Sequence, residues 1–170
     1  IAEQHSFLQQ VMFPDYVNTK QRLYLNASDY TFLYEWMSKL PKESIFPSYS
    51  DRDKYFDGYC KFFMFGDTNE KIPKNIRIYN KVGMAYGFLI DNAYIIDTEN
   101  NIEFFLTASV YSNNNETLND DRYEYDEITL PFMAELGTQI YKYELSRKKS
   151  IAPDFLSLIH ISEPTRLQQI

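Results

Sequence analysis

Three extended segments that follow one another are the feature that most restricts how this chain can fold. The first alternates apolar and polar residues at 76–79 and leads directly into residues 81–83. Residues 86–96 and 102–111 are rich in β-branched and aromatic residues, and a short stretch containing Asp and Asn separates them. Runs of this composition around a short polar turn are typical of a β-hairpin. The sequence therefore predicts three consecutive antiparallel strands, which form a meander.

Apolar residues at helical spacing predict helices on both sides of this strand region. Upstream, we expect helices at residues 1–12, at 28–40 with Ser28 as the N-cap, and at 53–65. Downstream of a polar loop, residues 126–149 present one apolar face that suits packing on a sheet. Helices, then strands, then a helix in this order predict an α+β fold, with the meander packed against helices.

The composition describes a folded, acidic domain. Hydrophobic residues make up 44% of the 170 residues and aromatic residues 17%, which is enough for a core. The formal net charge is −7, so the surface repels the phosphate backbone from which most nucleic-acid affinity comes. No apolar run approaches the roughly 20 residues that span a bilayer. We therefore expect no nucleic-acid partner and no membrane span in this chain.

Few residues are of the types that hold metals or form catalytic triads. The one cysteine, Cys60, excludes an internal disulfide and a multi-cysteine metal site. The two histidines, His5 and His160, are too few for a His-based metal site, and an atypical tail contains His160, which also argues against a Ser-His-Asp triad. The acidic stretch 120–127 lacks the spacing and turn glycine of an EF-hand loop, which favours a solvated loop over a calcium site. We expect no metal and no cofactor.

Two further residues have structural interpretations. Trp36, inside the second predicted helix, is interpreted as a core or half-buried aromatic residue. Cys60 is interpreted as a buried structural thiol, because no histidine or basic cluster is arranged to lower its pKa.

The final segment, residues 156–170, differs in character from the rest of the chain. It contains no aromatic residue, whereas 17% of the whole chain is aromatic. Residues 158–167 resemble translated adapter-like sequence found at the ends of environmental reading frames. We expect one partial domain at residues 1–155, followed by a non-native or artefactual tail; a genuine flexible terminus is the alternative.

The motif Lys81-Val82-Gly83, which opens the predicted hairpin ahead of a long terminal helix, resembles the Lys-x-Gly strand of serine β-lactamases and transpeptidases. The stretches 79–83 and 86–88 are also similar to β-lactamase-like exported proteins of gut bacteria. The resemblance covers residues 1–155 and implies the C-terminal portion of the β-lactamase/transpeptidase-like fold. It also implies a periplasmic or otherwise extracytoplasmic protein.

The Lys-x-Gly strand has an interpretable chemistry. Lys81 would supply a fixed cation for a substrate carboxylate, a bond worth about 1.5–3 kcal/mol. Gly83 would let a flat acyl substrate lie against the strand, and the resemblance implies that the backbone N–H of Met84 is one of two oxyanion-hole donors. Val82 departs from the Thr or Ser usual at this position, which removes a hydrogen bond worth about 0.5–1.5 kcal/mol.

The nucleophile of this family is not found where it is required. The family needs Ser-x-x-Lys on a helix and Ser-x-Asn, both upstream of the Lys-x-Gly strand. Residues 146–149 and 112–114 fit these two patterns, but both stretches follow Lys81 and are interpreted as coincidental. The chain is therefore interpreted as a fragment that lacks the N-terminal part with the nucleophile and is inactive alone.

Two hypotheses follow from the sequence. The first is a fragment of a serine hydrolase that acts on β-lactams or peptidoglycan peptides, in which Lys81 binds the substrate carboxylate. The second is a non-catalytic protein of the same fold that serves in binding or scaffolding, with Val82 as one trace of lost catalysis.

Overall fold

The computed structural model describes residues 1–155, and one antiparallel sheet lies at their centre. Strands β1 (Ile76–Ala85), β2 (Phe88–Asp97) and β3 (Ile102–Tyr111) pair with their sequence neighbours in the order β1-β2-β3. The predicted α+β fold class and the three-stranded meander are confirmed. The predicted tail, residues 156–170, lies outside the described residues.

Four helical elements surround the sheet. Helix α1 spans Ala2–Met12, helix α2 spans Ala27–Ser38, a short helical turn α3 spans Phe62–Phe65, and helix α4 spans Leu130–Ser146. Short 3-10 turns occur at Pro14–Tyr16, Thr19–Gln21, Pro41–Glu43 and Asp57–Cys60, and one π turn at Tyr125–Thr129 precedes α4.

A tight two-residue turn joins β1 to β2. Tyr86 and Gly87 have φ angles of 52° and 85°, the positive values at both central positions that a type I′ turn requires. This turn type matches the right-handed twist of the paired strands, and glycine adopts it at low cost. The sequence placed Tyr86 at the start of the second strand, whereas the structure assigns it to the turn.

Helices cover both faces of the sheet. Alternate residues of each strand point to opposite faces, so each strand contributes to two separate cores. On one face the strands pack against α3 and α4, in a cluster of Leu40, Phe62, Phe63, Ile72, Ile76, Ile78, Leu89, Ala93, Ile95 and Met133. On the other face they pack against α1 and α2, in a cluster of Leu8, Val11, Met12, Tyr34, Tyr79, Tyr94, Ile96 and Phe155. The sheet is thus the middle of three layers.

The start of α2 differs from the sequence prediction in its capping residue. The Asn26 side chain accepts hydrogen bonds from the backbone N–H groups of Ser28 at 2.9 Å and Asp29 at 3.2 Å. The Asp29 carboxylate in turn accepts from the Asn26 backbone N–H at 2.9 Å. This reciprocal capping box satisfies otherwise unpaired donors and places the N-cap at Asn26 rather than at Ser28.

The helix predicted at residues 53–65 is wrong. The structure has a 3-10 turn at Asp57–Cys60 and then α3, within which Met64 has a φ of 70°. Gly58 lies so close to Phe65 that an added Cβ would be 1.9 Å from the Phe65 carbonyl oxygen. In a straight helix, residues seven positions apart are separated by about 10 Å. The chain therefore folds back on itself here, which the run of aromatic residues in the sequence did not indicate.

The carboxylate of Asp97 joins the end of the sheet to α4. It is fully buried, and it accepts side-chain hydrogen bonds from Asn75 at 2.8 Å, Asn100 at 2.8 Å and Tyr141 at 2.5 Å. Burial alone would raise the pKa of Asp97, but these hydrogen bonds outweigh it and lower the pKa to about 2. The ionised carboxylate is therefore part of the folded structure.

Replacement of Asp97 by Asn is expected to lower the free energy of unfolding at pH 7 by about 2–3 kcal/mol, because charge-assisted hydrogen bonds are lost. Since the folded pKa lies below the ordinary 3.8, the contribution is present above pH 3.8 and disappears as the pH falls to about 2. Urea unfolding of the wild type, Asp97→Asn and the exposed control Asp67→Asn across this range measures it. An Asp97→Asn deficit that is equally large at pH 2 and pH 7 would contradict the assignment.

Candidate functional site

A pocket of about 280 Å³ lies between the end of α2, the segment that follows it, and strand β1. Three aromatic residues and three lysines contribute to its walls. They are Trp36, Tyr49, Tyr59, Lys39, Lys61 and Lys81. A concave, largely apolar surface with a few polar groups is the usual form of a small-molecule site.

The pocket lies along an unpaired edge of the sheet. Within residues 1–155, no strand pairs with the outer edge of β1. Ala85 and Phe88 flank the two-residue turn and face each other in the register, so they form a hydrogen-bonded pair. Backbone groups alternate along an antiparallel strand, and those of Val82 and Met84 therefore point away from β2. The Val82 carbonyl confirms this direction, because it accepts a hydrogen bond from Lys81 Nζ at 2.6 Å.

Two of the four predicted site residues line the pocket. Lys81 and Val82 are part of its wall, whereas Gly83 and Met84 lie beyond it toward the turn. Gly83 also has a packing role, because an added Cβ would lie 2.8 Å from Cγ2 of Ile90 on the paired strand. The structure thus brings Lys81 and Val82 into one pocket, and the predicted roles of all four residues stay predictions.

Lys81 is the cation at the mouth of the pocket. It is exposed, and its ammonium group donates to the Val82 carbonyl. Lys81 forms no ion pair with any other residue in the range 1–155. A carbonyl oxygen is a weaker partner for an ammonium group than a carboxylate, so an anionic ligand would compete well for it.

A buried polar network forms the floor of the pocket. Lys61 is 2% exposed, and its Nζ donates to the Met37 carbonyl and to Asn80 Oδ1, both at 2.6 Å. The Asn80 amide nitrogen donates to Asp91 Oδ1 at 2.9 Å and to the Cys60 carbonyl at 2.8 Å. One asparagine therefore links a buried lysine to a buried aspartate across β1 and β2.

Burial dominates the electrostatics of this floor. Loss of hydration lowers the pKa of Lys61 and raises the pKa of Asp91, because both charged forms are removed from water. The attraction between the two groups acts in the opposite direction on each pKa. The hydrogen bonds through Asn80 allow both groups to stay buried without direct contact.

Sequence reasoning missed Lys61, Asn80 and Asp91. The available signal was a charged residue inside an otherwise apolar run, since Lys61 is followed by four apolar residues. Likewise, Asp91 lies in a strand with three apolar residues before it, at 88–90, and four apolar or aromatic residues at 93–96. A charged residue in such a run is buried with a partner when the run forms the core.

The pocket contains no assembled nucleophile of the serine or cysteine hydrolase type among residues 1–155. Ser44 lines the pocket, but its hydroxyl donates to the Pro47 carbonyl at 2.8 Å. Cys60 also lines it, and burial raises the pKa of its thiol, which keeps the thiol protonated. The two downstream motifs are elsewhere, as Ser112 follows β3 and Ser146 ends α4. Neither serine lines the pocket.

No metal-binding cluster and no membrane-spanning helix occur in the part of the chain that the structure describes. Residues 1–155 contain no group of three or more His, Cys, Asp or Glu side chains placed to hold a metal ion. His5 contacts Thr107 Oγ1 at 2.8 Å on β3, and His160 lies outside the described residues. No helix in the described range has the length and apolar character that a membrane span needs.

Comparisons of the chain with protein-family models, with curated proteins and with solved structures find no match. The resemblance to the β-lactamase and transpeptidase family therefore stays a prediction carried by residues 79–88.

Replacement of Lys61 by Met is expected to lower the free energy of unfolding at pH 8 by about 3–5 kcal/mol, because Asp91 then stays buried without a compensating cation. Urea unfolding followed by the fluorescence of Trp36, the only tryptophan in the chain, measures this loss. The double variant Lys61→Met/Asp91→Asn should be more stable than Lys61→Met alone, since it buries no charge. If the loss of unfolding free energy in the double variant equals the sum of the losses in the two single variants, Lys61 and Asp91 are not coupled.

Proposed function

We propose that this chain supplies the ligand-binding Lys-x-Gly wall of a serine hydrolase related to β-lactamases and D-Ala-D-Ala peptidases. One observation carries the proposal. Lys81 and Val82 line a pocket at the open edge of a sheet, and Lys81 has no anionic partner within residues 1–155.

In this proposal Lys81 holds the substrate carboxylate. Its ammonium group exchanges the Val82 carbonyl for the carboxylate and keeps the ligand along the outer edge of β1. The outward-pointing backbone N–H of Met84 then acts as an oxyanion donor to a carbonyl that lies further along the same edge. Gly83 between them adds no side chain to the edge.

The acylating serine comes from outside the described pocket in this proposal. The Ser44 hydroxyl donates to a carbonyl, and burial raises the pKa of the Cys60 thiol although Lys61 and Lys81 oppose that shift; neither is an activated nucleophile, so the chain alone is inactive toward β-lactams and peptidoglycan peptides. An extracytoplasmic location belongs to the same proposal, because such substrates are found outside the cytoplasm.

A second candidate function is binding without catalysis. Val82 favours it, because a valine at the centre of the triplet offers no hydroxyl to a substrate carboxylate. The absence of a nucleophile and base pair among the described lining residues agrees with this alternative. In that case the same pocket and Lys81 bind a ligand without catalysing a reaction.

Labelling with a fluorescent penicillin, using the full-length gene product, tests the first function. The wild type is expected to be labelled covalently. The Lys81→Ala variant should react about 10- to 100-fold more slowly, the factor that corresponds to one charge-assisted hydrogen bond. Lys142→Ala, which removes an exposed lysine from α4, is the matched control and should react at the wild-type rate.

The other outcomes also discriminate. Labelling of Lys81→Ala at an unchanged rate would overturn the role given to Lys81. A folded wild type that takes no label would remove the hydrolase proposal and favour the binding alternative.

A further inference from the structure

Three large aromatic side chains form one wall of the pocket. Trp36, Tyr49 and Tyr59 all line it, and Trp36 and Tyr59 are 45% and 43% exposed. Aromatic surface that stays exposed in a concave site is a costly arrangement for the free protein, since burying it would be favourable. Such a wall suits a flat apolar ligand.

The aromatic wall is held rigidly. Tyr55 packs edge-on against Tyr49, with ring centroids 4.9 Å apart, and against Tyr59, with centroids 5.1 Å apart. These ring contacts fix two of the wall's side chains before a ligand arrives. Little side-chain freedom remains to be lost on binding, which favours affinity.

Two ion pairs connect the segment that carries Tyr49 to the rest of the protein. Lys42 pairs with the buried carboxylate of Asp57, and Arg77 on β1 pairs with Glu43 at 2.8 Å. The second ion pair fastens the beginning of this segment directly to the sheet edge. It therefore joins the segment of the aromatic wall to the strand that carries Lys81.

The charged groups around the pocket are cationic. Lys39 lies 4.1 Å from the centre of the Trp36 ring and also pairs with Glu35 at 2.6 Å, so its charge is already balanced. Lys81 has no such partner within residues 1–155. Lys61 at the floor is likewise balanced by the buried aspartate described above, and the described lining contains no Asp or Glu. The site therefore favours an anion whose charge lies at the Lys81 end.

We infer that this pocket binds a small aromatic carboxylate, with its ring against Trp36 and Tyr59 and its carboxylate on Lys81. The volume of about 280 Å³ is at the low end for ligand pockets, which limits the ligand to one or two rings. This inference deepens the proposed function and rests on its assignment of Lys81 as the carboxylate anchor. It requires no acylation and holds equally for a catalytic and a non-catalytic protein.

The position of Trp36 provides a direct assay. It is the only tryptophan in the chain and it lines the pocket, so the intrinsic fluorescence of the full chain reports occupancy. The probe is 3-phenylpropionate, with two matched ligands: 3-cyclohexylpropionate, which keeps the charge without an aromatic ring, and 3-phenylpropionamide, which keeps the ring without the charge.

Saturable binding of 3-phenylpropionate at a single site is expected. The cyclohexyl analogue should bind about 2- to 10-fold more weakly, the range for lost aromatic contacts. The amide should bind about 10- to 100-fold more weakly, the range for a lost charge-assisted bond. Lys81→Ala should abolish the difference between the acid and the amide, whereas Lys142→Ala should preserve it.

Three results would overturn the inference. The first is that the Trp36 fluorescence shows no saturable change up to about 10 mM 3-phenylpropionate. The second is equal affinity for the acid and the amide, and the third is equal affinity for the phenyl and cyclohexyl acids. Thermal unfolding of each variant establishes that it is folded before the titration. Penicillin labelling is a separate readout. If the protein binds 3-phenylpropionate but takes no penicillin label, only the hydrolase proposal is wrong. If it is labelled but does not bind 3-phenylpropionate, only this inference is wrong.

Discussion

The pocket depends on the buried hydrogen bonds that radiate from Asn80. Through Lys61 they reach the last turn of α2 at the Met37 carbonyl, and through Asp91 they reach β2. Asp91 also accepts from the backbone N–H of Phe62 at the start of α3. Four segments of the chain therefore meet at one asparagine, and none can move without leaving a buried polar group unpaired.

This network explains why the site lies at the edge strand. Asn80 points to the face covered by α3 and α4, and the next residue, Lys81, points to the opposite face, where it lies beyond the buried Tyr79 and is exposed. Two of the three lysines of the pocket, Lys61 and Lys81, differ in their exposure to solvent. Lys61 is a buried structural cation that shapes the floor, and Lys81 is an exposed cation available to a ligand.

The sequence predicted the sheet well, because its signals are local. Alternation along β1 and the polar turn between β2 and β3 specify strands without reference to the rest of the molecule. Two residues of the motif, Lys81 and Val82, line the pocket, and the role predicted for the motif stays a prediction.

The remainder of the site depends on contacts between residues far apart in sequence. Asn80 and Lys61 are 19 positions apart, and no pattern at that separation indicates that they meet. The fold-back at Gly58 is hidden for the same reason, because its cause is the approach of the Phe65 carbonyl. Trp36 was interpreted as a core or half-buried aromatic residue, whereas it is 45% exposed, and only the tertiary structure shows that it lines a pocket.

The most direct test of this account is the pKa of Lys61, measured by NMR with lysine labelled with ¹³C at the ε carbon. Burial should make the Lys61 signal titrate well below the ordinary lysine value of 10.5. The Asn80→Ala variant should shift the Lys61 titration, because it removes one of the two acceptors of the ammonium group. A Lys61 signal that titrates at the ordinary lysine value would show that the floor of the pocket is not the buried network described above.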